Sequence, residues 1–199
     1  RGVSAQQAYS HNGYTAQSRY HMLSGSLAGV RDGRTLIDDF RTAGYFTAYI
    51  SGQDETFGGP LYDIGFSRAD VARDARADRD KRYSTSSTPG SLAVPLAVVE
   101  GHIDEFLGRA AADRPLFLSV NFHDTHFPYA HPGIETITSA MRIDRGDIVP
   151  GARDALWATY ANTAANVDRA IGSVIEARPA ARRREPGILG TSDAGDSLF

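Results

Sequence analysis

The sequence predicts an α/β fold with a mostly parallel central sheet, and two observations favour it. Segments typical of buried strands alternate along the chain with longer segments of helical periodicity. The composition is also that of a folded domain, because 41% of the 199 residues are hydrophobic and 23% are charged. A chain of this length can bury a substantial core.

Three segments are predicted as strands. Tyr45–Ile50 is rich in aromatic and β-branched residues and follows a glycine. Leu116–Phe122 is almost continuously apolar, as expected for a strand that is covered on both faces. Ile188–Thr191 is a shorter third candidate.

Helices are predicted between these strands from apolar residues that recur every three or four positions. The predicted helices are Thr35–Ala43, Pro95–Ala112 and Ala152–Ala177. The dense charge run Arg68–Arg82 is expected to be a solvated helix or excursion. Ser84–Gly90 has the composition of a loop.

Charge and composition exclude several classes of protein and site. With 21 basic and 24 acidic residues the net charge is −3, which argues against a nucleic-acid partner held by phosphate neutralisation. The chain has no cysteine, so disulfides, thiolate metal sites and cysteine nucleophiles are excluded. Its apolar runs are too short to cross a bilayer.

Both ends of the sequence suggest a segment of a longer protein. It begins at Arg1 without a methionine, and it ends at Phe199 shortly after the third predicted strand. We therefore expect residues 1–199 to form a partial domain, and the lack of a targeting signal carries no weight.

A polar cluster near the start of the chain offers a candidate nucleophile. Thr15 falls where a helix is expected to begin, and Arg19 follows one turn later on the same side. The positive potential at a helix N-terminus favours an alkoxide and an anionic ligand. The alternative interpretation is that Thr15 is an N-cap residue with no chemical role.

The run Thr15-x-x-Ser18-Arg19-x-x-x-Leu23-Ser24-Gly25 resembles the sulfatase signature C-x-P-S-R-x-x-x-L-T-G. That signature carries the nucleophile in the sulfatase branch of the alkaline phosphatase superfamily. Four further segments resemble family motifs in the order that the family requires, and together the matches span nearly the whole chain: Ala43–Gly52, Pro115–Tyr129, Tyr160–Gly172 and Thr191–Gly195.

The resemblance implies a role for each matching residue. Thr15 would be the nucleophile and a ligand of a divalent metal (Ca, Mn, Zn or Mg), and Asp193 would be a second ligand of that metal. Arg19 would stabilise the ester oxyanions by bidentate hydrogen bonding. His126 would contact the substrate oxyanion or protonate the leaving group. Gln53 and Asp54 stand where sulfatases place a lysine that holds the sulfate group.

Departures from the family pattern shape the functional expectation. Cysteine sulfatases oxidise the cysteine to formylglycine, a route closed to Thr15, and Gln17 replaces the usual proline. Ala194 stands where the family has a metal-binding histidine. Other histidines are expected to be structural or peripheral, namely His123 and His131 in the loop and His102 on a helix surface.

The resemblance therefore implies metal-dependent hydrolysis or transfer of sulfate or phosphate esters through a covalent intermediate. The substrate would be a small-molecule, glycan or lipid ester. A threonine nucleophile also fits the phosphodiesterase, phosphoglycerol-transferase and phosphoethanolamine-transferase relatives. Ala194 supports a third possibility, a non-catalytic sulfatase-like binding protein. Many relatives are exported or anchored to membranes, so the resemblance implies an extracytoplasmic location.

Overall fold

A computed structural model describes residues 4, 7, 9–10, 12–26, 33–56, 59, 63–85, 92–109, 114–177 and 187–191. The helices and strands in these ranges are, in chain order, α1 (Thr15–Ser24), α2 (Leu36–Thr42), β1 (Phe46–Ser51), β2 (Val71–Arg73), β3 (Tyr83–Ser84), β4 (Leu92–Ala93), α3 (Leu96–Arg109), β5 (Leu116–Asn121) and α4 (Arg153–Glu176). Single 3-10 turns lie at Phe66–Arg68, Arg79–Lys81 and Arg145–Asp147.

The central sheet is parallel and has the strand order β2-β1-β5. Strand β1 lies in the middle and pairs with β5 along its whole length, from Phe46 opposite Leu116 to Ser51 opposite Asn121. Strands β3 and β4 form a separate antiparallel pair. The predicted α/β class and parallel sheet are confirmed.

Helices cover both faces of this sheet. Successive side chains of β1 point to opposite faces, and on each face they pack in an apolar cluster that includes helical residues. On one face Ala48 and Ile50 pack with residues of α3, including Val99 and Phe106. On the other face the cluster that contains Tyr49 joins residues of α1 and α2, among them Leu23, Ile37 and Tyr20. Coverage on both faces agrees with the burial of β1 and with its mostly apolar sequence, whereas β5 is half-buried along its length.

The three predicted helices form close to their expected bounds as α2, α3 and α4. Helix α2 begins directly after Thr35, because the Asp38 carboxylate accepts hydrogen bonds from the Thr35 N–H at 2.8 Å and from its hydroxyl at 3.0 Å. Within the described ranges, no helix is long and apolar enough to cross a membrane.

The charge run Arg68–Arg82 is not simply solvated, and this part of the prediction is wrong. It contains β2, whose Val71 is buried in the core beside β1. The flanking Asp70 accepts hydrogen bonds from the N–H and hydroxyl of Thr47 on β1. A three-residue strand is too short to show the alternation by which strands are recognised in a sequence.

The prediction of a strand at Ile188–Thr191 is also wrong. Residues 187–191 have no regular structure, and the side chains of Ile188 and Leu189 are 60% and 86% exposed. An apolar segment forms a strand when a partner strand and a core receive it, and the described part of the chain offers neither to this segment.

Candidate functional site

The turn that leads into α1 is held by its own side chains. The Ser18 hydroxyl donates to the carbonyl of Asn12 at 2.6 Å and accepts from the Asn12 N–H at 3.2 Å. The Asn12 side-chain oxygen accepts from the N–H of Tyr14 at 3.2 Å. These bonds fix the approach to Thr15, the first residue of the helix.

Thr15 is not the N-cap of α1. Tyr14 occupies that position in an extended conformation, with φ −121° and ψ 123°. Thr15 is half-buried, and its hydroxyl makes no hydrogen bond to any residue that the structure describes. The hydroxyl therefore stands in the positive potential of the helix N-terminus without a structural role in capping.

Arg19, one turn further along α1, is buried and forms an ion pair with Glu55. Its Nη1 lies 2.7 Å from Glu55 Oε1, and the side chains of Arg19 and Glu55 are only 5% and 1% exposed. The Tyr49 hydroxyl of β1 is 3.5 Å from the same nitrogen. The guanidinium group thus lies at the carboxyl end of the central strand.

Gln53 links Arg19 to His123, which lies two residues after the end of the neighbouring strand β5. With the amide oxygen facing Arg19, it accepts from Nη2 at 2.9 Å and from Nη1 at 3.2 Å, while the amide nitrogen donates to His123 Nδ1 at 3.0 Å. Gly52 lets the two strand ends approach, since a Cβ there would lie 3.2 Å from the His123 Cβ.

Two polar side chains at the strand ends hold Glu55 in place. The Ser51 hydroxyl donates to Glu55 Oε1 at 2.5 Å, and Asn121 Nδ2 lies 3.1 Å from that hydroxyl oxygen and 3.4 Å from Oε1. Glu55 Oε2 is buried and has no hydrogen-bond partner among the described residues. We call this connected group the edge cluster: Arg19, Ser51, Gln53, Glu55, Asn121 and His123.

His123 is held in its neutral form. Burial is the main cause that lowers its pKa, to about 3, and the neighbouring His126, His131 and Arg19 add to the effect. Because Nδ1 accepts from Gln53, the ring proton lies on Nε2, which has no hydrogen-bond partner among the described residues. His123 thus offers a neutral donor.

His126 stacks on His123 and is open to solvent. The two ring centroids are 4.6 Å apart at an interplanar angle of 20°. His126 Nδ1 donates to the carbonyl of Phe127 at 2.7 Å, which leaves Nε2 available for proton transfer. His131 Nε2 donates to the His126 carbonyl at 2.7 Å and so supports the backbone of this loop.

Asp124, between these histidines, is a buried acid. Burial raises its pKa to about 6, although the backbone N–H groups of Asp124 and Leu96 lower it in part and Glu100 raises it further. Neither carboxylate oxygen has a well-formed hydrogen bond within the described ranges. Burial, followed by the Asp124 charge, also raises the pKa of the Tyr83 hydroxyl.

A row of polar side chains on α4 holds the loop that carries His126. Asn162 Oδ1 accepts from the N–H groups of Ile137 and Thr138 at 2.8 and 2.7 Å, and its Nδ2 donates to the carbonyl of Ser139 at 2.7 Å. Thr159 accepts a hydrogen bond from the N–H of Ile143, Thr163 donates to the Tyr129 carbonyl, and Asn166 bonds to the backbone of Glu135. We call this row of four side chains the α4 clamp: Thr159, Asn162, Thr163 and Asn166.

The predicted site residues are partly brought together. Arg19, Gln53 and His126 meet through His123, and Thr15 lies one turn before Arg19 on α1. The Asp54 side chain instead accepts from Thr56 and lies 3.5 Å from Arg76. Asp193 and Ala194 lie outside the described residues.

No metal centre is built by the described part of the chain. It contains no group of three histidine, aspartate or glutamate side chains placed to hold an ion. Of the two predicted ligands, Thr15 is described and Asp193 is not. The metal site stays a prediction that rests on the family resemblance.

Sequence reasoning missed Glu55 and gave His123 only a structural or peripheral role. One signal could have found Glu55, since it lies in the polar segment that follows an apolar strand of a parallel sheet. His102 was expected on a helix surface, yet it is half-buried and its Nε2 lies 2.6 Å from Asp78 Oδ2.

Known proteins resemble this chain at the level of family and of structure. No curated protein matches it. A solved structure, described as a protein in the alkaline phosphatase superfamily from Vibrio parahaemolyticus, is similar at 15% identity and a TM-score of 0.44. The alignment covers 81% of this chain and 38% of that one. The sulfatase family model matches residues 1–199, and the chain therefore belongs to the sulfatase family.

Proposed function

We propose that this chain carries the nucleophile and anion-binding residues of an enzyme that hydrolyses or transfers sulfate or phosphate esters. Membership of the sulfatase family supports ester chemistry in general. The observation that carries the specific proposal is the series of contacts that leads from Arg19 through Gln53 and His123 to His126, with Arg19 one helical turn from Thr15.

In the first step, Thr15 Oγ1 attacks the sulfur or phosphorus atom of the ester. A new bond to Oγ1 forms, the bond to the leaving-group oxygen breaks, and the hydroxyl proton passes to solvent water. His126, whose Nδ1–H is bonded to the Phe127 carbonyl, donates the Nε2 proton of its doubly protonated ring to the leaving oxygen and is left neutral.

In the second step, water or an acceptor alcohol attacks the sulfur or phosphorus atom of the covalent Thr15 ester and gives its proton to the neutral His126 ring. The bond to Oγ1 breaks, and Oγ1 takes a proton from solvent water, which restores the hydroxyl. Water as acceptor gives a hydrolase, and an alcohol gives a transferase. Arg19 and the neutral donor of His123 bind the non-bridging oxygens in both steps. Gln53 fixes the orientation of both groups through its amide.

A divalent metal is part of the proposal through the family resemblance, with Thr15 and Asp193 as ligands. When bound, such an ion favours ionisation of a hydroxyl ligand and neutralises the ester oxygens. Ala194 removes one ligand that the family pattern would supply. Calorimetric titration with Mn²⁺ tests the ligand set, and Asp193→Ala is expected to weaken binding in the full-length protein.

A non-catalytic role is the second candidate, and Ala194 is the observation that favours it. A protein of this kind would keep the fold and bind an anion at the edge cluster without turnover. Between sulfate and phosphate, Thr15 favours phosphate, while the Ser18-Arg19 and Leu23-Ser24-Gly25 spacing follows the sulfatases.

One experiment separates these candidates. The full-length protein is mixed with matched aryl sulfate and aryl phosphate substrates in the presence of Mn²⁺, quenched rapidly in acid, and digested for mass spectrometry. We expect a sulfuryl or phosphoryl group on the peptide that contains Thr15. Binding of both anions without turnover or a covalent adduct would establish the non-catalytic alternative.

A further inference from the structure

We propose that the protonation state of Asp124 controls the position of His126. Both residues belong to a short turn that follows β5, residues 123–127, which we call the histidine turn. The turn keeps its described position while the Asp124 carboxyl group is protonated, and ionisation favours local opening. The turn matters for the proposed function because it carries His126, but the inference concerns the turn itself and is tested without turnover.

Asp124 is a buried acid without a basic partner. Its exposed fraction is 0%, and neither carboxylate oxygen has a well-formed hydrogen bond to the described residues. The Glu55 side chain is also buried, but Arg19 Nη1 lies 2.7 Å from its Oε1. Buried Asp74 likewise has Arg76 Nε at 2.7 Å. A buried carboxylate that lacks such a partner is unfavourable when ionised and is tolerated when protonated.

The groups that face Asp124 from other elements supply no positive charge. On α3, the Leu96 N–H lowers the pKa of the carboxyl group and Glu100 raises it. On β3, the Tyr83 hydroxyl is uncharged, since burial and then the Asp124 charge raise its pKa. His131 is held neutral mainly by burial, which lowers its pKa. Burial has the largest effect on Asp124 and raises its pKa to about 6.

The Tyr83 hydroxyl complements the protonated form of Asp124. It is buried without a hydrogen-bond partner among the described residues, and it is near enough for the Asp124 charge to act on it. A protonated carboxyl group offers one O–H donor and an acceptor oxygen, and a tyrosine hydroxyl can serve as either. The proton therefore lets two otherwise unpaired groups bond without a buried charge.

The histidine turn can open without unfolding the sheet. Thr125 is half-buried, and His126 and Phe127 are exposed, so Asp124 is followed directly by a surface segment. A backbone hydrogen bond from the His126 N–H to the His123 carbonyl, 2.9 Å long, closes the turn. Breaking it and lifting the segment brings the carboxyl group to water, where its pKa returns toward the ordinary value of 3.8.

The two pKa values fix the direction of the effect. As the pH rises from about 4 to about 6, Asp124 loses its proton in the open turn but keeps it in the closed turn, so opening becomes more favourable. His123 and His131 act in the opposite direction, because their lowered pKa values favour opening toward acid. Comparison with an Asp124 variant cancels this contribution, since both proteins contain the two histidines.

Amide exchange of His126 measures the opening of the turn. Exchange is followed at pH 5 and pH 7.5 by mass spectrometry with single-residue fragmentation, for the full-length wild type and for Asp124→Asn, and is corrected for intrinsic exchange rates. We expect the opening constant of the wild type, divided by that of the variant, to rise about tenfold from pH 5 to pH 7.5. In the wild type, the His126 amide should be at least about tenfold less protected than the amides of β1, because the opening is local.

The matched control is Asp104→Asn, which neutralises an exposed aspartate on α3 and should leave the ratio constant. A constant ratio in Asp124→Asn, or an equal rise in the control, overturns the inference. Protection of His126 equal to that of β1 in the wild type also overturns it, whether or not the variant folds. Because the readout is amide exchange, failure here leaves the proposed function standing, and an inactive protein can still confirm the inference.

Discussion

The edge cluster and the α4 clamp are both networks of buried polar side chains, yet they differ in charge and in completeness. The clamp consists of two asparagines and two threonines, all neutral, and none of its polar atoms lacks a partner. The edge cluster contains a buried ion pair and a buried histidine, and it leaves Glu55 Oε2 and His123 Nε2 without partners in the described ranges.

This difference indicates what each network does. A satisfied neutral network stabilises one conformation, and the clamp accordingly fixes the loop that bears His126. Buried polar atoms without partners are unfavourable for folding, and they are expected where a ligand completes the bonding. Variants at the two networks should therefore separate stability from activity.

The largest effect is expected from Thr15→Ala. If Thr15 is the nucleophile beside the edge cluster, the variant loses covalent catalysis and turnover falls by at least about 10³-fold. The unfolding temperature should change little, because the hydroxyl caps nothing in α1. Steady-state kinetics and thermal unfolding of the full-length protein measure the two quantities.

The control is Thr42→Ala, which removes a threonine hydroxyl that donates to the Asp38 carbonyl on the exposed surface of α2. Its turnover should remain within twofold of wild type, roughly the effect of a surface change. Near-normal turnover in Thr15→Ala would remove Thr15 from the proposed mechanism.

The next effect concerns stability, at the clamp. Asn162→Leu keeps the side-chain volume but leaves the N–H groups of Ile137 and Thr138 and the Ser139 carbonyl without their partner. We expect the free energy of unfolding to fall by about 2–4 kcal/mol, measured by urea denaturation. Ser173→Leu, an exposed change on the same helix, should alter it by less than about 0.5 kcal/mol.

The variant His123→Gln tests whether the edge cluster makes the stability of the protein depend on pH. The pKa of His123 is about 3 in the folded protein, below the value near 6.5 expected for an unfolded chain. As pH falls below about 6.5, His123 binds a proton in the unfolded state but not in the folded state. The free energy of unfolding of the wild type therefore decreases as the pH is lowered. The variant lacks this loss.

The stability of wild type minus that of His123→Gln should therefore decrease by about 2 kcal/mol between pH 7 and pH 5. The same difference for Asn162→Leu should stay constant over this range, since the asparagine does not titrate. Urea denaturation at several pH values measures both, and parallel curves would show that the two networks do not differ in this way.

The smallest effect is expected from Glu135→Gln. The Glu135–Arg169 pair is exposed, and water and salt screen it. We expect no measurable change in unfolding or in turnover. A loss of activity in this variant would show that the charge of Glu135, on the loop that the α4 clamp binds, influences catalysis. The two networks could then not be assigned separately to stability and to activity.

The sequence was sufficient where a pattern is long and periodic. Strands β1 and β5 and helices α2, α3 and α4 were predicted close to their observed bounds, because apolar residues repeat with the period of each element. Strand β2 escaped prediction since its three residues lie within a charge run. The strand predicted around Leu189 is absent because burial of an apolar segment depends on its neighbours in the folded structure, which a local sequence pattern does not show.

The candidate site shows the same limit. The motif resemblance selected Thr15, Arg19 and His126, and their roles stay predictions. The pairing of Arg19 with Glu55 joins residues 36 positions apart, and spacing alone does not predict such a contact. The hydrogen bonds of Asn162 could not be predicted either, because an asparagine in a helical sequence does not indicate which loop it binds.

The parallel pairing of β1 with β5 has a consequence for the order of folding. Ser51 and Asn121, which hold Glu55, lie 70 residues apart, and the helix α3 and the three short strands β2, β3 and β4 intervene. Their contact forms only after this large loop has closed, a step that is slow because its entropy loss precedes any gain from pairing. The ion pair between Arg19 and Glu55, which Ser51 and Asn121 hold in place, should thus form late, after the helices.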